Sequence, residues 1–410
     1  MTASLIEQGG ISAIGPAMRS FDGVICFGGG DWWYHNRGHY DMQMMRNFSR
    51  LMPILYVNSV GVRMPSVREG RMFVRRVARK LRSLRRGLVR VETNFCVVSP
   101  LVAPGKMGGR ISKPLLPPQV RWAAFRAGIR RPLVWVNCPA AAEAVDRLNP
   151  VAVIYERTDR SELFPGSDRN QIRQFHDRLC RRADLTLFCS ELLFDAESRD
   201  CRNAMYVDHG VDFDRFEAAG LNPAGEPGDV RHIARPRVGF IGGIDSHTFD
   251  PPLLVDVARR LPQLQFLLVG ACSLPAGWCQ LPNVHLLGQR AYESVADYMA
   301  ACDVLIMPWN SSDWIKACNP VKLKEYLAVG KPVVTTEFEE LKRYEGFVRR
   351  AAGGEEFAEQ ICRALAEQAD PDRMRQRVRT ETWAAKSQAV LHRLTELGIQ
   401  PAGIQTARSA

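Results

Sequence analysis

The sequence predicts an α/β protein made of two Rossmann-like, doubly wound domains that face one cleft. Three observations carry this. Short apolar runs of strand length recur and are separated by helical stretches, as in FDGVICF (21–27), PILYVNS (53–59) and RPLVWVN (131–137). Such runs suit parallel strands covered by helices on both faces. The same alternation restarts at RVGFIGGID (237–245), after a stretch rich in Gly, Pro and Ala at 217–235 that reads as a linker. A chain of 410 residues also exceeds what one core usually holds.

Taken in order, residues 1–20 read as a loose lead-in, and FDGVICFGGGD (21–31) as a strand ending in glycines. PILYVNS, FCVVSP (95–100), RPLVWVN, VAVIYE (151–156) and DLTLFCS (184–190) are further strands, with a polar helix near 168–183. MYVDHGVD (205–212) gives a strand and a turn. In the second series LLVDVARRLP (253–262) and SVADYMAAC (294–302) read as helices. QFLLVGA (265–271), NVHLLG (283–288), VLIMPWN (304–310) and PVVTT (332–336) read as strands. A last helix spans about 372–397 and carries Trp383.

Hydrophobic content of 46% and charged content of 24% are those of an ordinary globular protein. The net charge of +11 favours an anionic partner. Eleven cysteines stand singly, without a CxxC pair or a Cys/His cluster at zinc spacing, so they read as buried thiols of a reducing compartment. MTASLIEQGG shows neither a basic nor an apolar leader region. No apolar run reaches the ~18 residues of a membrane span. The expectation is a cytoplasmic protein, peripheral to the inner face of the cell membrane.

NPVKLKEYLAVG (319–330) is the most informative helix. Asn319 suits an N-cap, Pro320 the first helical position, and Gly330 the C-terminal turn. Lys322 and Lys324 are uncomfortable at a partly positive helix end unless an anion sits there. Lys322 and Glu325, three apart, share a helix face. A cation for a diphosphate and a carboxylate for ribose hydroxyls would suit a nucleotide. The alternative is a surface ion pair of negligible worth.

NPVKLKEYLAVGKPVV resembles the donor-binding segment of the GT-B glycosyltransferases, especially the "group 1" family of bacterial polysaccharide enzymes. IYERTDRSELF (154–164), ADLTLFCSELL (183–193), VDHGVDFDRF (207–216), RVGFIGGID and NVHLLGQRAYESVADYMAACDVLIMPW (283–309) follow in that family's order. The resemblance covers roughly residues 20–395. It implies an N-terminal acceptor domain (1–204), a linker region (205–236) and a C-terminal nucleotide-sugar domain (237–371). It also implies a helix crossing back to the N-terminal domain (372–398), before a flexible tail (399–410). Retaining members carry two glutamates eight positions apart. The second matches Glu325, but Ala317 stands where the first would be, with Asp313 four residues before it as a substitute. Retention or inversion therefore stays open. Gly242 and Gly243 replace the usual cationic clamp with backbone N–H groups that could hold phosphate.

Glycosyl transfer needs a base for the acceptor hydroxyl. GGGDWWYHNRGHYD (28–41) offers Asp31, His35 and His39, with Trp32, Trp33 and Tyr34 as stacking surfaces; the alternative is a turn with packed aromatics. Asp159 in YERTD is a second base candidate, or a helix cap. His209 beside a glycine turn is a ligand contact or a structural histidine. VDFD (211–214) matches an Asp-x-Asp metal motif but reads as a loop, so no metal and no other cofactor is expected.

From Arg63 to Glu92 the chain has eleven Arg/Lys and two Glu. Phe73, Val77, Leu81, Leu84 and Leu88 recur at helical spacing, so 71–90 reads as an amphipathic basic helix. It fits an anionic membrane surface; a core-packed helix with a solvated basic face is the alternative. No nucleic-acid fold signature accompanies it. The reading is a glycosyltransferase that moves a sugar from a nucleotide donor to a lipid-linked or polysaccharide acceptor in envelope or exopolysaccharide synthesis. A non-catalytic sugar-nucleotide-binding or scaffold protein, or an epimerase of the same architecture, is the alternative.

Overall fold

The structure is a computed structural model and describes residues 18–403 apart from 36, 61–70, 103–104, 165, 223–224 and 368. The N-terminal half runs β1 (Arg19–Phe21), β2 (Gly23–Phe27), α1 (Tyr40–Phe48), β3 (Ile54–Val57), α2 (Arg71–Arg86), β4 (Leu88–Glu92), β5 (Phe95–Val98) and α3 (Gly105–Arg126). It continues through β6 (Pro132–Val136), β7 (Ala152–Arg157), α4 (Arg169–Arg182), β8 (Leu185–Phe188), α5 (Glu191–Glu197), β9 (Ala204–Tyr206) and α6 (Phe213–Leu221). The second half begins β10 (Arg237–Ile241), α7 (Pro251–Arg260), β11 (Gln265–Val269), β12 (Val284–Gly288), α8 (Tyr292–Ala300), β13 (Val304–Met307) and α9 (Asp313–Lys316). It ends α10 (Val321–Val329), β14 (Val333–Thr335), β15 (Arg349–Arg350), α11 (Gly354–Ala366), α12 (Pro371–Val378), α13 (Trp383–Glu396) and β16 (Ile399–Pro401).

Among the described residues two large sheets form, beside a two-stranded pair of β1 with β16. The first has the order β4-β5-β3-β2-β6-β7-β8-β9 and the second β12-β11-β10-β13-β14-β15. All pairs are parallel except β4 with β5 at the edge. Strands such as GVICF and PLVWV are buried at every position, as expected where helices cover both faces. Local chemistry sets the helix starts. Asp168, Asp250 and Thr382 accept the N–H of Gln171, Leu253 and Ala385 at 3.1, 3.0 and 3.1 Å. Gly330 ends α10 at φ +82°, the left-handed conformation glycine adopts freely.

Several expectations are corrected. The basic helix stops at Arg86, because Gly87 turns at φ +61° and Leu88 begins the antiparallel edge strand. Leu81 is 56% exposed rather than packed, and the side chains of Phe73 and Val77 lie outside the described residues. The linker contains α6, whose Phe213 and Phe216 pack into the C-terminal core. The last helix is two, α12 and α13, separated at 379–382, and α13 carries Trp383, Val390 and Leu394 onto the N-terminal core. The first residues of the tail, Ile399–Pro401, form a strand paired in parallel with Arg19–Phe21, and 404–410 lie outside the described residues.

Candidate active site

Each sheet reverses at a middle strand. The N-terminal chain runs outward from β2 to β3 and returns to β6 on the other side of β2. The C-terminal chain does the same about β10, with β11 on one side and β13 on the other. Ligands of such sheets bind beyond the carboxyl ends of the strands at this reversal. The segments there are the glycines after β2, Asp159 after β7, Gly242 and Gly243 after β10, and the start of α10.

Lys322, in the first turn of α10, lies across Gly242. A Cβ on Gly242 would collide with Cε of the lysine and stand 3.3 Å from Nζ, so the close approach needs glycine. Among the described residues no carboxylate pairs with this ammonium. Its charge instead acts on Glu325, Asp159, His39 and His209, which gathers predicted residues from both domains around one cation.

The electrostatics of these groups are unusual. Burial raises the Glu325 carboxyl to about 7, with Lys322 and the Tyr292 hydroxyl opposing the rise. Burial raises Asp159 to about 6 against the pull of Arg157 and Lys322. Crowding by the surrounding protein lowers His39 to about 4, with His35 and Lys322 adding to it and Asp41 opposing. Burial lowers His209 to about 3, helped by Lys324. Both imidazoles are thus neutral at pH 7, and one carboxyl on each side of the cleft is poised to exchange a proton.

Other predicted residues fall elsewhere. Asp31 closes a turn, its carboxylate accepting the Trp33 N–H at 3.0 Å. His35 Nδ1 is 2.9 Å from the Asp31 carbonyl, and its ring meets His39 edge-on at 5.1 Å. Trp33 has the Arg86 guanidinium 4.4 Å from its ring, so that face is covered, and its Nε1 is buried without a partner. Trp32 is core, at 4% exposure. The N–H of Gly242 is spent on the Val269 carbonyl at 2.9 Å and is not offered to a phosphate. Gly243 is exposed.

Asn319 is not the N-cap, because Pro320 holds that place and offers no side-chain bond. Asn319 instead donates to the Cys189 carbonyl at 2.8 Å and joins the domains, leaving its Oδ1 buried and unpartnered. Ala317 is 1% exposed and packs with Phe188 and Leu193, and Asp313 pairs with Lys316 at 3.0 Å on the exposed side of α9. Neither supplies the missing carboxylate. Asp212 of the Asp-x-Asp stretch is held by Arg215 at 2.6 Å, and no cluster of three metal-type ligands occurs among the described residues.

Residues 235–367 match the model of the family described as glycosyl transferases group 1. That stretch of the chain is similar to the group 1 glycosyltransferases. A Bacillus subtilis protein, TuaH, by name a teichuronic acid biosynthesis glycosyltransferase, is 32% identical over 205 residues. The match spans 45% of this chain and 50% of that relative, about half its length. Over the whole chain the fold is GT-B. A sucrose-phosphate synthase from Thermosynechococcus elongatus superposes with a TM-score of 0.67 at 14% identity, over 92% of this chain and 99% of that one. Anabaena HepE, solved with UDP and glucose, superposes with a TM-score of 0.63 at 15% identity over the same shares.

The C-terminal domain is tied to the first domain by a buried ionic knot that the sequence reading missed. Lys324 Nζ is 2.6 Å from both Asp208 Oδ2 and the His209 carbonyl, and also bonds Glu381. Lys386 completes the pair of cations on Asp208. Burial alone would raise Asp208, but the two ammonium groups hold it at about 2. Lys324 therefore answers to protein carboxylates and not to a ligand. Its spacing from Lys322 was the available signal, since residues two apart on a helix point to nearly opposite sides. Asp41 and Glu156 are buried carboxylates behind the glycine loop. Asp41 accepts the Gly29 N–H at 2.9 Å, and Glu156 accepts Trp135 and Asn137 at 2.5 Å each.

Proposed function

We propose that the protein is a glycosyltransferase that moves a sugar from a nucleotide donor to a lipid-linked or polysaccharide acceptor. The observation that carries this is the Lys322 ammonium, laid over Gly242 at the sheet reversal without a carboxylate partner among the described residues. A cation so placed, with the first free amides of α10 beside it, is a seat for a diphosphate. Glu325 holds the ribose hydroxyls, and Gly243 with Asn319 and Pro320 lines the donor side. The UDP and glucose held by HepE, and the name of TuaH, support a sugar nucleotide as donor and a surface polysaccharide as product.

The acceptor side is the first domain. Asp159 is the proposed base, with His39 and His209, neutral imidazoles that share the field of Lys322 with it, shaping the approach. Asp159→Asn should lower turnover at least about a hundredfold, with circular dichroism unchanged. Because the base works ionised, wild-type turnover should fall tenfold per unit below pH about 6, where Asp159 takes up its proton, and level off above it. A flat profile between pH 5 and 7 would remove Asp159 from the role.

No metal takes part in this reading, since the Asp212 carboxylate is engaged by Arg215. Transfer assayed with EDTA present should match transfer without it. The buried Ala317 favours one other reading, a sugar-nucleotide binder without turnover. Release of free nucleotide from a donor that stabilises the protein in thermal shift separates the two, because a binder releases none. The chain is also proposed to sit at the cytoplasmic face of the membrane, with the arginine-rich α2 against anionic headgroups. No helix among the described residues is long and apolar enough to cross a membrane.

A further inference from the structure

We infer that the outer face of α3 is a lipid footing that inserts its aromatic side chains into an anionic membrane surface. The inference deepens the membrane reading given for α2 and rests on it. The inner face of α3 is ordinary: Leu116, Val120, Ala123 and Ala124 pack under the N-terminal sheet. The opposite face of such a helix is normally polar. Here Leu115, Trp122 and Phe125 are 49%, 57% and 53% exposed. Their spacings of seven and three put them on one stripe.

Leu101, 64% exposed, lies beside this stripe, because Gln119 of α3 bonds its backbone N–H at 2.8 Å and its carbonyl at 3.2 Å. Large apolar side chains gathered on one surface mark an interaction site, whereas single exposed ones are ordinary.

The charges around the stripe say what covers it. The guanidinium of Arg130 lies 3.7 Å from the Phe125 ring, and that of Arg126 lies 5.9 Å from Trp122. Arg121 and Arg131 are exposed on the same helix and the loop after it. Between Glu92 and Glu143 the chain has seven Lys or Arg and no Asp or Glu. A face that pairs aromatic rings with guanidinium groups and lacks acids matches an anionic lipid interface. Rings settle at headgroup depth and the cations meet phosphate. A second copy of this chain would set the same arginines against each other, a like-charge contact.

Flotation of the full chain with vesicles tests this, using phosphatidylglycerol mixed into phosphatidylcholine and phosphatidylcholine alone. Wild type should float with the anionic vesicles and stay behind with the neutral ones. Trp122→Glu with Phe125→Glu should lower the floated partition at least about tenfold, and Trp122→Ala should move it the same way. Both variants should keep their circular dichroism and their turnover of soluble substrates, since the stripe is outside the cleft. If the double variant floats like wild type while Arg82→Glu with Arg85→Glu does not, α2 alone meets the membrane and this inference is overturned. If wild type floats with neither vesicle, the membrane reading falls and takes this inference with it. A wild-type dimer in size exclusion that the double variant breaks, with flotation unchanged, would make the stripe a self-interface and overturn it too.

Discussion

Lys322→Ala lowers sugar transfer at least about a hundredfold and abolishes the thermal shift given by donor, while the apo protein melts close to wild type. The size follows from removing one positioned charge where negative charge grows on the leaving diphosphate, which costs about 10²–10³ in turnover in comparable sites. The unchanged melting point follows from the absence of a carboxylate partner among the described residues, so no buried acid is orphaned. One secondary effect has a sign. Lys322 holds Glu325 down against burial, so its loss raises that carboxyl further. Lys322→Arg should recover part of the donor shift, because the charge returns on a bulkier head that must pass over Gly242. If Lys322→Ala turns over donor at the wild-type rate, the diphosphate seat is elsewhere.

Lys324→Met, two residues along the same helix, does the opposite. It lowers stability by about 3–5 kcal/mol, because Asp208 and Glu381 lose a buried cation they were both folded around. Its effect on activity follows from the loss of fold and not from donor binding. Chemical denaturation reads the change directly, and a Lys324→Met protein as stable as wild type would refute the knot. The linkage with pH also has a definite sign. The Asp208 carboxyl is depressed in the folded state to about 2 from its ordinary 3.8. The ion pair's stabilisation is therefore fully present above pH about 4 and is lost as pH falls towards 2. Asp208→Asn should flatten that part of the acid limb of the stability curve.

The two lysines show where reading the sequence stops. NPVKLKEYLAVG predicts a helix, its glycine end and the shared face of Lys322 and Glu325, because these depend on neighbours in the chain. It does not say which side of the helix meets the cleft. That depends on Asp208 and Glu381, more than a hundred and more than fifty residues from Lys324 in either direction. Asn319 is a similar case. Its local chemistry suits a cap, but a carbonyl at Cys189 in the other domain takes its amide instead.

The helix at Gly105–Arg126 was not legible at all. Gly108, Gly109, Pro114, Pro117 and Pro118 fall in it, and local propensity argues against a helix with that content. Burial of Leu116, Val120, Ala123 and Ala124 against the sheet outweighs the propensity. The basic helix was read too long for the converse reason. The period carried on to Leu88, but pairing with Val98 in β5 claimed that residue for a strand.

What the sequence determined by itself was the α/β alternation, the two doubly wound halves and most strands of the sheets. Apolar runs covered on both faces leave a signal in consecutive residues, and caps and glycine turns punctuate them. What only the tertiary structure decided was which polar groups meet. The gathering of Glu325, Asp159, His39 and His209 about Lys322, and the diversion of Lys324 into the knot, come from contacts between distant segments. Their electrostatics come from burial, which no local pattern of residues records.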